Sequence, residues 1–138
     1  MRNIDRLCLA HFWVAFAAFL AAAVLGTWQM WVRGPLGANV GTPGQYFISV
    51  TAHGVAMAYV LTTFFIMGFG YFVAVTALNR PLPGKLLAWA AYWLALLGVV
   101  LTVIPILTGQ ASVLFTFYPP LTASAWFYIG LVLVVVAS

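Results

Sequence analysis

Acid is almost missing from this sequence: Asp5 is the one acidic side chain in 138 residues. An acid confined to the N-terminal head leaves the apolar runs without a carboxylate to relay a proton or to work as half of an acid–base pair. Cysteine is equally scarce, and a lone Cys8 excludes an intrachain disulfide. Histidine occurs only as His11 and His53. Charged residues of either sign make up 4% of the chain against 66% hydrophobic, and the mean hydropathy is +1.14. So few charges do not solvate the surface of a water-soluble domain. The composition is that of an integral membrane protein, and the net charge of +4 bears on topology in a lipid bilayer, not on nucleic acid.

Long hydrophobic runs are what the chain does have. Residues 7–32, 48–78 and 86–107 are uncharged and reach the roughly 20 residues needed to cross a bilayer. The first lacks a small-residue cleavage site followed by polar sequence, so no cleavable signal peptide is expected. Trp28 and Trp31 read as interfacial anchors at its far end, and Arg33, Gly34 and Pro35 stop it. The Gly- and Pro-rich stretch RGPLGANVGTPGQ is a connector, RPLPGK separates the second and third runs, and Pro119 with Pro120 interrupts the loop after the third. A fourth run, 124–138, has about 14 residues and rises only about 21 Å as a helix, short of a hydrocarbon core of about 30 Å. The expected fold is all-α, a polytopic membrane helix bundle forming one domain over 1–138, with three complete spans and the start of a fourth, the N-terminal piece of a longer chain. Arg2 and Arg6 in the head and Arg80 and Lys85 after the second span outnumber Arg33 on the other side, which predicts a cytoplasmic N-terminus.

The second run carries an ionisable side chain at membrane depth, and such a group is a functional candidate. His53 lies about five residues, roughly 8 Å, inside the outer end of that run, beside Ala52, Gly54, Ala56 and Ala58, small enough for something flat to approach. Two readings stay open: an imidazole that hydrogen-bonds a neighbouring helix, or an axial ligand of a heme iron. For a ligand, the second ring nitrogen needs a hydrogen-bond partner, and the Ser49 hydroxyl or carbonyl, one turn earlier, is the predicted acceptor. Met57 and Val60 share the His53 face at α-helical spacing, either against a porphyrin or in ordinary packing. His11 sits near the opposite end of the first span, roughly 15 to 20 Å away in depth, which makes it a structural histidine and not a second ligand of the same iron. Trp89, Tyr92, Trp93, Trp126 and Tyr128 are read as belt and packing residues.

The segments TAHGVAMAYVLTTFF, RPLPGKLLAWAAYWLALLGVV and SVLFTFYPPLTASAWFYIG resemble the second, third and early fourth helices of subunit I of the heme-copper oxidases. The similarity extends over residues 45–138 and is greatest to the B-type, or ba-type, cytochrome c oxidases. It implies a twelve-helix-type fold in which His53 is an axial ligand of low-spin heme b. Tyr118 and the YPPL that it opens would form an outer loop over the heme side. A second heme and a copper ion would belong to the full-length subunit. The resemblance further implies a prokaryotic inner-membrane oxidase that moves electrons from cytochrome c to oxygen and protons across the membrane, with a copper-bearing subunit II and other subunits as partners; the present stretch alone would be inactive. Phe115 stands where A-type enzymes have tryptophan, and the loop from Arg80 to Lys85 lacks their acidic residue, so that entry to a proton path is not expected. The alternatives are a nitric oxide reductase relative and a small heme-binding or structural membrane subunit without catalysis.

Overall fold

The computed structural model describes residues 3–37 and 40–138, apart from the side chains at 3 and 5. Arg2 of the topology argument and the carboxyl of Asp5 thus lie outside the described residues. Helix α1 runs Asn3–Arg33; α2, Pro43–Val55, continues through a π-helical stretch, Ala56–Leu61, into α3, Thr62–Ala77; α4 is Lys85–Leu107 and α5 is Ala125–Val136. Three continuous helices, 6–33, 43–77 and 85–107, are long and apolar enough to cross a membrane. The chain is all-α. Among the described residues β-pairing is limited to one isolated bridge, Ala111 with Ala123, which pinches the base of the loop between α4 and α5.

Local chemistry sets the helix ends. Helix α2 starts at Pro43, ahead of the uncharged run, because Thr42 and Gln45 form a reciprocal capping box: the Thr42 hydroxyl accepts from the Gln45 N–H, and the Gln45 side chain accepts from the Thr42 N–H at 2.9 Å. Pro43 has no N–H to leave unpaired at the first helical position. His53 is therefore about ten residues, roughly 15 Å, from the start of its helix, twice the depth that the uncharged run suggests. The π-helical stretch widens each hydrogen-bonded turn by one residue, and the Thr62 hydroxyl donates back to the Ala58 carbonyl inside it.

Small residues bring the helices together. A methyl group built on Gly98 or Gly130 would lie 2.6 Å from the other residue's carbonyl oxygen, so α4 and α5 touch backbone to backbone there. Thr102, one turn from Gly98, turns its hydroxyl back to the Gly98 carbonyl at 2.9 Å. This is the small-xxx-small packing of helices in lipid, where close van der Waals contact replaces the hydrophobic drive. Phe64, Tyr92 and Phe127 fill the centre between the helices. Trp13, Val24, Ile66, Leu87, Trp93 and Val132 point outward, as hydrocarbon allows and water would not. Ile4, Arg80 and Lys85 line one cleft, so the start of α1 and the loop before α4 share one end of the bundle.

Candidate functional site

His53 projects from α2 toward α1. Its Nδ1 lies 2.8 Å from the carbonyl oxygen of Ala22, 31 positions earlier in the chain. A carbonyl only accepts, so Nδ1 carries a proton, and in the neutral form of the ring Nε2 keeps a free lone pair. Among the described residues Nε2 has no hydrogen-bond partner and is not enclosed, and the residue as a whole is half-buried. The acceptor is thus on the neighbouring helix and not Ser49. The Ser49 hydroxyl donates to Tyr46 at 2.7 Å, and its carbonyl accepts from the Gln29 side chain at 2.9 Å, both groups being occupied otherwise. The first reading of the imidazole is the one seen directly: one nitrogen bonds a neighbouring helix, and the other is left out of that bond.

The opposite flank of α2 is held by the loop after α4. Thr51, fully buried, donates its hydroxyl to the Phe47 carbonyl at 2.8 Å and accepts the Leu114 N–H at 2.9 Å. Leu114 (φ 61°) and Phe117 (φ 57°) both adopt the left-handed conformation that side chains disfavour. Their turn lays Phe115 on Gly54, where a methyl group would fall 2.8 Å from the ring. Phe117 packs 6.2 Å from Tyr59 and 5.9 Å from Tyr128, ring centre to ring centre. Loop and histidine are thus neighbours on one helix although the chain separates them widely. Hydrogen bonds between membrane helices contribute only about 0.6 kcal/mol on average, so the Gln29, His53 and Thr51 bonds fix orientation while packing carries the stability.

Met57 is half-buried one turn beyond His53. Val60 is 6% exposed and belongs to the packed core. The π-helical stretch lies between His53 and Val60, so the α-helical spacing that puts Val60 on the histidine's face no longer holds. Tyr118 stands on the loop, 72% exposed. Sequence reasoning missed Ala22, Gly26, Thr51 and the π stretch. Ala22 and Gly26 carry a signal in hindsight, two small residues four apart on one face of a span.

His11 is elsewhere. It is fully buried, donates Nδ1–H to the Leu7 carbonyl of its own helix at 2.8 Å, and is ringed by Phe64, Tyr71 and Tyr92 with centroids 5.0 to 5.7 Å away. Ala22, which His53 touches, is eleven positions further along α1, about 16 Å. The two imidazoles do not converge. Among the described residues no three His, Cys, Asp or Glu side chains gather as a metal ion would need. The chemistry of His53 fits a heme iron: its Nδ1–H is held by a carbonyl, as in metal-bound histidines, and its second nitrogen is not enclosed.

Comparison with known proteins follows the same line. The family model described as cytochrome c and quinol oxidase polypeptide I matches residues 6–138. Cytochrome c oxidase subunit 1 of Thermus thermophilus is 39% identical over 87 residues, which is 62% of this chain and 15% of that protein. In a cryo-EM structure of a heme-copper terminal oxidase dimer, one chain superposes with a TM-score of 0.90 at 31% identity, covering 99% of this chain and 24% of the other. The chain thus spans between a seventh and a quarter of the proteins that it resembles.

Proposed function

The chain belongs to the cytochrome c and quinol oxidase polypeptide I family, and on that premise we propose that it forms the low-spin-heme side of the catalytic subunit of a B-type respiratory terminal oxidase, with His53 as one axial ligand of heme b. The observation that carries this reading is the His53 Nδ1–H bond to Ala22 at 2.8 Å, which presents Nε2 as an unprotonated donor. His53 would hold the heme from this side of the bundle, and the group so held would supply a one-electron relay. The residues here do the holding. Ala22 fixes the tautomer, the small Ala52 and Ala56 near His53 present no long side chain, and Met57 lies one turn away on the same helix.

The other axial ligand, the second heme, the copper ion and a route for protons come from sequence beyond these residues. In the full-length subunit the electrons come from cytochrome c through a copper-bearing subunit II and go to the oxygen-reducing centre, with protons moved across a prokaryotic inner membrane. The N-terminus, Arg80 and Lys85 are on the cytoplasmic side and Tyr118 on the outer side. The test is His53→Leu in the full-length protein, read as the reduced-minus-oxidised spectrum of membranes. The low-spin heme signal is expected to vanish; a full low-spin signal in the variant overturns the assignment.

A further inference from the structure

A carbonyl inside an α-helix is engaged by the N–H four residues later and flanked by that residue's side chain. Ala22 O therefore already faces the N–H of residue 26, and a third group approaches it most closely where residue 26 leaves the flank open. Residue 26 is glycine. A methyl group built there would lie 3.1 Å from Cε1 and 3.3 Å from Nδ1 of His53. The edge of the imidazole lies a few tenths of an ångström closer to α1 than a Cβ at position 26 would allow, while Nδ1 bonds Ala22 at 2.8 Å. Position, tautomer and rotation of the ring are set together by these two residues.

We propose that Gly26 is a positioning residue for the heme ligand: by lacking a Cβ it admits the His53 ring against α1, so that the Ala22 carbonyl fixes the rotation of the imidazole and strengthens Nε2 as a donor. This deepens the assignment of His53 and rests on it. A hydrogen bond from Nδ1 makes the imidazole a stronger electron donor, which favours the oxidised iron and lowers its potential, second-shell hydrogen bonding being one of the protein's levers on a heme. The added methyl group in Gly26→Ala pushes the ring from the carbonyl by a few tenths of an ångström or turns it, since both contacts are tighter than ordinary packing. Ligation survives such a shift, but the donor strength does not.

The experiment compares Gly26→Ala with Gly68→Ala in the full-length oxidase. Gly68 packs α3 on α1 where a methyl group would lie 2.9 Å from the His11 Cβ, a tighter clash without His53 nearby. In Gly26→Ala the low-spin heme is retained, its midpoint potential moves upward and its EPR g-anisotropy changes. In Gly68→Ala the assembled fraction falls while both readouts stay at wild-type values. Wild-type potential and g-values in Gly26→Ala overturn the proposal, as does an equal shift in Gly68→Ala, which would make the effect one of general strain. If Gly26→Ala fails to assemble, pulsed EPR on the unmodified protein reads the Nδ1 quadrupole coupling: a hydrogen-bonded N–H supports the cradle and an unbonded one overturns it. His53→Leu in the same preparation separates the two claims, because loss of its low-spin signal upholds the ligand whatever Gly26→Ala shows.

Discussion

His53 and His11 both donate Nδ1–H to a carbonyl at 2.8 Å, but the carbonyl belongs to another helix in the first case and to the histidine's own preceding turn in the second. Around His53 the ring rests on glycine backbone and Nε2 is open. Around His11 three aromatic rings close the space, and Nε2 is buried without a partner. Both rings put Nδ1–H on a carbonyl in one bundle. What separates the proposed ligand from the packing residue is therefore access to the second nitrogen, not residue type or the first hydrogen bond.

The largest expected effect breaks this comparison directly. In the full-length protein His53→Gly empties the ligand position and free imidazole restores the low-spin spectrum, whereas His11→Gly alters neither spectrum nor imidazole response; absorption spectra of membranes check both. Loss of the low-spin signal in the His11 variant alone would reverse the roles. The two ends of the bundle also differ in sidedness. In a Cys8→Ala background, an impermeant thiol reagent on intact cells is expected to label a cysteine placed at Tyr118 and not one at Arg80, the order that the basic residues dictate.

Smaller effects sharpen the comparison. Thr51→Val removes the acceptor for the Leu114 N–H on the flank of α2 opposite His53, which costs about 1–3 kcal/mol locally. Exchange of that amide is expected to accelerate roughly tenfold or more, with the heme spectrum kept. His11→Leu gives up one hydrogen bond within its helix but also removes a buried, unpartnered nitrogen. The thermal stability of the subunit is expected to move by less than about 1 kcal/mol, read as a small change in its unfolding temperature in detergent.

The bundle was legible because lipid demands long uncharged helices, and residues 7–32, 48–78 and 86–107 announce them without any knowledge of packing. His53 was legible for the same reason, since an ionisable group in such a run is rare. The Ser49 expectation failed because it looked for a partner one turn away. The structure supplies one from α1, and a backbone carbonyl leaves no mark in sequence. Val60 misled because a π-helical turn has no residue signature here. It resets the face of every position after it.

Residue order by itself determined that this protein crosses a membrane, that it is helical, and that the His53 imidazole is set at depth among small residues. Burial of apolar surface in lipid depends on residue type and run length alone. Only the tertiary structure decided which nitrogen of His53 is free, that Gly26 makes the room, and that the Phe115 loop clamps the far side of α2. Those facts are contacts between residues tens of positions apart, and they exist only once the helices have packed.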